Sequence, residues 1–152
     1  MNNAPLRDNT TLSDRLQQLE PEAAEKATQM FLENHSDWLV KYGERARKLG
    51  IEDAQYHIEF LVGAVEADST QVFENYCDWA ARLLESRGIA KNFLVEDLTQ
   101  IETALRPGLS LEEQTVVARF MEAGRAACNR ETSGPKQPGP LISATETRFP
   151  TQ

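Results

Sequence analysis

The chain of 152 residues carries two histidines and two cysteines, and His57 is the residue best placed to do chemistry. It lies in residues 52–67, E-D-A-Q-Y-H-I-E-F-L-V-G-A-V-E-A, where apolar residues recur at the spacing of a helix. Laid out at about 100° per residue, Glu52, Gln55, Glu59 and Glu66 share one narrow polar stripe. Ala54, Ile58, Leu61, Val62 and Val65 form an apolar stripe beside it, and His57 falls on the side opposite the acids. A helix apolar over most of its circumference belongs inside a structure, so the imidazole points into protein. There it serves as a neutral, hydrogen-bonded core residue, as an axial ligand, or as a proton sensor. Burial lowers a histidine's pKa, and a nearby carboxylate raises it.

Tyr56, Phe60, Tyr76 and Trp79 stand at helical spacings on this helix and the next, with Cys77 among them. Core packing accounts for such aromatics. The alternative is a pocket in which they and His57 face a flat apolar ligand. Cys77 and His57 could be imagined as nucleophile and base, but nothing local supports the pairing. The other histidine, His35, precedes a helix start and is expected to be exposed. The two histidines share no ligand spacing and H-E-x-x-H is absent, so no metal site is expected. There is no G-x-G-x-x-G, G-x-x-x-x-G-K-[ST] or G-x-S-x-G either. Glu52 and Asp53 suit a helix start better than a catalytic carboxylate pair. An enzyme is not the reading these residues favour.

The formal charge of −8 argues against a nucleic-acid surface, which needs clustered Lys and Arg, and against binding anionic membranes. No apolar run approaches the roughly 20 residues of a membrane span, and M-N-N-A-P-L-R-D lacks the apolar centre of a signal peptide. A cytoplasmic protein is expected. Cys77 and Cys128 belong to no Cys-x-x-Cys motif and read as small buried hydrophobes.

The elements that must position His57 read as all-α. After a disordered lead at 1–10 come a short helix from Thr11 to Leu19 and a second opened by Pro21, with Ala23, Ala27, Met30 and Phe31 buried. A third starts at Ser36 or Asp37, buries Trp38, Leu39, Tyr42, Ala46 and Leu49, and closes at Gly50. The central helix follows. A fifth runs to about Ser86, burying Val72, Phe73, Tyr76, Trp79, Ala80, Leu83 and Leu84, with Asp78 and Arg82 paired on its outer face. A sixth, about Ala90 to Arg106, presents Leu94, Leu98, Ile101 and Leu105. Ser110-Leu-Glu-Glu113 is a capping box opening the seventh. Its wide apolar side, with Val116, Val117, Phe120, Met121 and Gly124, suggests an interface with a protein partner or a second copy. From Glu131 the run T-S-G-P-K-Q-P-G-P begins a tail too poor in apolar residues to order itself. The domain is thus 11–130, a globin-like or multi-helix bundle of six to seven helices, with a disordered tail at 131–152.

The strings E-D-x-x-x-H-x-x-F-L (Glu52 to Leu61) and V-F-x-N-Y-x-x-W (Val72 to Trp79) resemble helical regulatory domains of bacterial signalling proteins. These include the globin-like sensor domains of stressosome proteins and helical segments placed before kinase or cobalamin-binding domains. The resemblance spans about residues 20–129. It implies that the last two helices are the globin G and H helices, the fifth the F helix and the central one the E helix, with His57 distal. The fifth helix offers Cys77 but no histidine for a proximal haem ligand, so the non-haem sensor type fits better. A bilin site like that of the phycobiliproteins is remote, because Cys77-Asp78-Trp79 departs from their pattern.

Together these point to a non-enzymatic cytoplasmic sensor or regulatory domain, without cofactor, acting through a protein partner or homodimer. The alternative is a domain binding haem, another tetrapyrrole or another small ligand, with His57 in the pocket.

Overall fold

The computed structural model describes residues 9–130. Its helices are α1 (Asn9–Asn34), α2 (Ser36–Tyr42), α3 (Glu44–Glu66), α4 (Thr70–Ser86), α5 (Asn92–Leu105) and α6 (Leu111–Cys128), with a 3₁₀ turn at Arg106–Gly108. The fold is all-α, and no strand occurs among the described residues. The tail expected at 131–152 lies outside the described residues, as does the lead up to residue 8; α1 already begins at Asn9. No described helix is long and apolar enough to cross a membrane.

Among the described residues six helices replace the seven that the sequence suggests, because one expected break is absent; a second is placed elsewhere. The first pair of helices is one, α1, running unbroken through Pro21. A proline inside a helix forfeits one backbone hydrogen bond and crowds the preceding turn, at about 3 kcal/mol. Pro21 is exposed, on the side where carbonyls can tilt toward water. On the opposite side Leu12, Leu16, Ala23, Ala24 and Ala27 continue a single buried stripe across it. That shared burial outweighs the local penalty.

The second misplaced break is at Gly50. The chain turns instead at Gly43 (φ 64°, ψ −148°), a conformation that only glycine adopts without strain. Gly50 lies within α3, where α1 crosses so closely that a Cβ would stand 2.8 Å from Thr28 Cγ2. Its missing side chain serves the packing of α1 on α3 rather than a helix end.

α1 lies chiefly along α3 and α5, α4 along α6, and α3 also meets α4 and α5. The fully buried Phe73, Tyr76, Ile58, Leu61, Leu94, Leu98, Ile101, Phe120 and Met121 join all of these layers into one core. α6 opens with the expected capping box: Ser110 Oγ accepts from Glu113 N–H at 3.1 Å, and Ser110 N–H donates to Glu113 Oε1 at 2.9 Å.

The interface proposed on α6 does not survive as a surface. Val117, Phe120, Met121 and Gly124 are buried within the chain, and Val116 is half-buried against the same core. The wide apolar side is used by α4, whose Phe73 and Cys77 press against Gly124. Two residues of α4 also exchange roles: Val72, expected inside, is exposed, and Asp78 is buried while paired to Arg82 at 3.2 Å.

Candidate functional site

α3 carries His57 into the junction of three helices. Its Nδ1 lies 2.6 Å from Tyr76 Oη on α4, and its Nε2 lies 3.6 Å from Asp97 Oδ2 on α5. Burial depresses the imidazole's pKa to about 4, so the ring is neutral at neutral pH. Burial above all pushes the Tyr76 phenol well up, with the nearby acids Asp53 and Asp97 acting the same way, so it keeps its proton. With both groups neutral, the arrangement in which Tyr76 O–H donates to Nδ1 turns Nε2–H toward Asp97. The 3.6 Å gap there is longer than a good hydrogen bond.

Asp97 is pulled the opposite way. Burial first, then the charges of Asp53 and Glu96, raise its pKa to about 7. Its side chain retains 18% exposure, and the residue lines a cavity.

The cavity measures about 80 Å³, is partly open to solvent, and is lined by residues of α1, α2, α3, the end of α4, the α4–α5 connection and the start of α5. Its walls are apolar and largely aromatic: Phe31, Leu32, Trp38, Leu84, Ile89, Phe93 and Leu94. The three rings hold one another edge to face, Trp38 lying 5.5 Å from Phe31 and 5.3 Å from Phe93 between centroids. Its polar side is Thr28, Asp53, His57 and Asp97. Thr28 is nearly fully buried, and its Oγ1 finds no hydrogen-bond partner in the protein. A buried hydroxyl left unpaired is costly, and native interiors contain few of them.

His35 is no free surface residue. Its ring lies 4.6 Å from that of Phe31, tilted by 41°, and its Nε2 meets Glu96 Oε1 at 2.8 Å. Burial raises the Glu96 pKa, but hydrogen bonds from His35 and Asn34 outweigh it and leave the group below its usual value. Glu96 thereby anchors the start of α2 to α5, beside the cavity.

Of the six residues singled out from the sequence, His57 alone lines the cavity. Tyr76 bonds to it, Phe60 stacks on Tyr76 at 4.0 Å, and Trp79 stands 6.4 Å from the same ring. These three support the imidazole from behind. Half-buried Tyr56 is not part of the lining. Cys77 sits in the α4–α6 seam, where the Cys128 thiol approaches its carbonyl at 3.9 Å. Burial and the adjacent Cys128 raise its pKa well above that of a free thiol, which suits a packed residue and not a nucleophile.

Thr28, Asp97 and the ring trio of Phe31, Trp38 and Phe93 were missed as site residues. A signal existed for two of them. Thr28 falls inside the stripe of Ala24, Ala27 and Phe31, and Asp97 falls beside that of Leu94, Leu98 and Ile101. A polar side chain on an apolar stripe must find a buried purpose.

A tetrapyrrole does not fit these residues. Pockets for drug-sized ligands run to about 300–1,000 Å³, and α4 offers no histidine. His57 meets Tyr76 with one ring nitrogen and faces Asp97 with the other. No group of three or more metal-ligating side chains gathers among the described residues. Compared with family models, characterised proteins and solved structures, the chain matches none of them.

Proposed function

We propose that this chain is a non-enzymatic regulatory domain that takes up a compact small molecule beside His57 and relays its presence to a protein partner. The observation that carries the reading is the cavity itself, in which apolar walls meet a polar side of Thr28, His57 and Asp97. Binding sites combine an apolar lining with a few convergent polar groups and ionisable side chains of shifted pKa in this way. An apolar cavity of about 150 Å³ accepts benzene, so this one suits a molecule roughly half that size.

The relay falls to α2. None of its residues is buried, and it hangs between His35 and Gly43 with Trp38 against the cavity. Its Val40 is 87% exposed. A ligand that shifts Trp38 shifts this outer face, where a partner or a second copy would read the change. The likeness of the Glu52–Leu61 and Val72–Trp79 strings to non-haem sensor domains supports the same class of function. The acidic composition and the lack of a membrane-crossing helix among the described residues are in keeping with a cytoplasmic setting.

The test is titration with three compact probes of equal heavy-atom count, 2-propanol, isopropylammonium and acetate, followed by amide NMR shifts. A ligand of about four non-hydrogen atoms gains at most about 6 kcal/mol, so dissociation constants from tens of micromolar upward are expected. At least one probe should shift Thr28, Trp38, Gly50 and Asp97, and the cavity-filling Ala46→Leu variant should abolish the response. No saturable shift with any probe up to about 100 mM, which corresponds to under 2 kcal/mol of binding, would remove the proposal.

A further inference from the structure

We infer that α2 is a lid over the cavity, hinged at His35 and Gly43 and latched by Trp38 between Phe31 and Phe93. The inference rests on reading the cavity as a binding site and names how access to it is controlled.

α2 is built to move as one piece. Its seven residues carry Asp37 in the first turn and Lys41 in the last, the order a helix dipole favours. Trp38 packs edge-on to Tyr42 at 5.9 Å, and the Lys41 ammonium lies 5.5 Å from the centre of the Tyr42 ring. A helix this short has no stability of its own in water and takes its place from what holds it down. None of its residues is buried, so little apolar surface fixes it to the body. Its C-terminal hinge is Gly43, at φ 64° and ψ −148°, where nothing stands within 4 Å of the place a Cβ would take. The sharp turn there depends on backbone freedom and not on side-chain packing.

Trp38 is the one residue of α2 that lines the cavity. Its ring meets Phe31 at 5.5 Å and Phe93 at 5.3 Å between centroids. The socket that receives it holds together without it. Phe31 and Phe93 stand 6.0 Å apart, and the His35 ring lies 4.6 Å from the first and 5.1 Å from the second. Glu96 on α5 accepts from Asn34 at 3.1 Å and meets His35 at 2.8 Å. Lifting α2 therefore leaves α1 and α5 joined and takes only Trp38 out of the cavity wall. Leu32, Ala46 and Leu94 line the same cavity at no more than 4% exposure, and a molecule larger than water reaches them when α2 lifts.

Ala46→Cys puts a thiol in that wall. Its labelling by methyl methanethiosulfonate, read by peptide mass spectrometry, reports how often the lid opens. Cys77 and Cys128, buried away from α2, report opening of the whole fold. Trp38→Ala removes the latch, and the loss of two aromatic pairs should speed labelling at position 46 roughly ten- to a hundredfold. Gly43→Ala touches neither latch nor wall. It strains the hinge in the closed position, strain that lifting α2 relieves, and should speed the same labelling at least about fivefold. Both variants should leave Cys77 and Cys128 as slow as in the parent. Acceleration by Trp38→Ala with none by Gly43→Ala would mean that the indole merely plugs an opening, and would overturn the lid. So would equal acceleration at all three thiols, or none from either variant. The labelling needs no ligand, so the two readings fail separately. A lid that opens over a cavity binding none of 2-propanol, isopropylammonium and acetate would remove the binding site and leave the lid, and binding without lid motion would do the reverse.

Discussion

The Nδ1 atom of His57 lies 2.6 Å from the phenolic oxygen of Tyr76, and this short contact fixes α3 to α4 in the core. Phe60 stacks on the phenol at 4.0 Å with only 11° between the planes, so the phenol can swing little without unstacking. The imidazole is thereby held with its second nitrogen toward Asp97 and the cavity. Orientation of that nitrogen is what makes the histidine useful at the site.

Tyr76→Phe keeps the ring and removes the hydroxyl, leaving Nδ1 buried and unpaired. An unsatisfied buried polar atom costs about 1–3 kcal/mol. In a chain of this length the midpoint of thermal unfolding should fall by roughly 3–10 °C. A thermal melt of the variant checks it; an unchanged midpoint would mean that the contact contributes nothing net.

Gly50→Ala brings two effects into opposition. Alanine in a helix interior is favoured over glycine by about 1 kcal/mol, yet the new methyl would stand 2.8 Å from Thr28 Cγ2. Overpacking of this kind costs about 1–3 kcal/mol, so the single variant should be less stable than the parent. Thr28→Ser deletes the clashing methyl. The double variant should recover the helix-propensity gain and exceed Thr28→Ser alone in urea unfolding, giving a coupling energy of about 1 kcal/mol or more.

How much of this was legible depends on which residues set the geometry. Helical period and burial of Leu94, Leu98, Ile101, Phe73 and Phe120 follow from spacing alone, as does the Ser110–Glu113 cap. The breaks did not, because Pro21 and Gly50 are punctuation only when nothing across the helix overrides them. Pro21 is overridden by a continuous buried stripe, and Gly50 is needed by Thr28 on another helix. The site divided in the same way. His57 was found because it stands alone among apolar residues of its own helix. Thr28 and Asp97 join that histidine around one cavity only when α1 and α5 pack beside α3, a relation between residues 29 and 40 positions from it that no local pattern records.

Haem added to the purified chain should give no stoichiometric Soret band. The cavity of about 80 Å³ would have to open several-fold to admit a macrocycle, and α4 carries no histidine to bind the iron. An absorption titration reads this directly. A band that saturates at one equivalent and disappears in His57→Ala would show that α2 and α5 separate far more than the packing of Trp38 on Phe93 suggests.

Folding moves protons between His57 and Asp97, and their pH effects oppose each other. In the unfolded chain a histidine titrates near 6.5 and an aspartate near 3.8; in the fold the two stand at about 4 and about 7. His57 therefore contributes stability that is present above pH 6.5 and is lost as pH falls toward 4. The contribution of Asp97 is present below pH 3.8 and is lost as pH rises toward 7. Between about pH 4 and 6.5 the unfolded pair carries one proton on the histidine and the folded pair one on the aspartate. The difference in bound protons is close to zero, and the pair adds almost no slope to stability in that window. Asp97→Asn removes one side of the balance. Relative to the parent, the variant should gain stability as pH rises from 4.5 to 6.5, by up to about 1.4 kcal/mol per pH unit. His57→Gln should show the opposite trend and lose stability relative to the parent over the same window. Urea unfolding of the three proteins at pH 4.5, 5.5 and 6.5 makes the comparison, and the groups common to all three cancel in the differences. Parallel pH profiles for parent and variants would mean that neither group changes its protonation on folding, and the account of a neutral histidine facing a proton-holding aspartate would have to be abandoned.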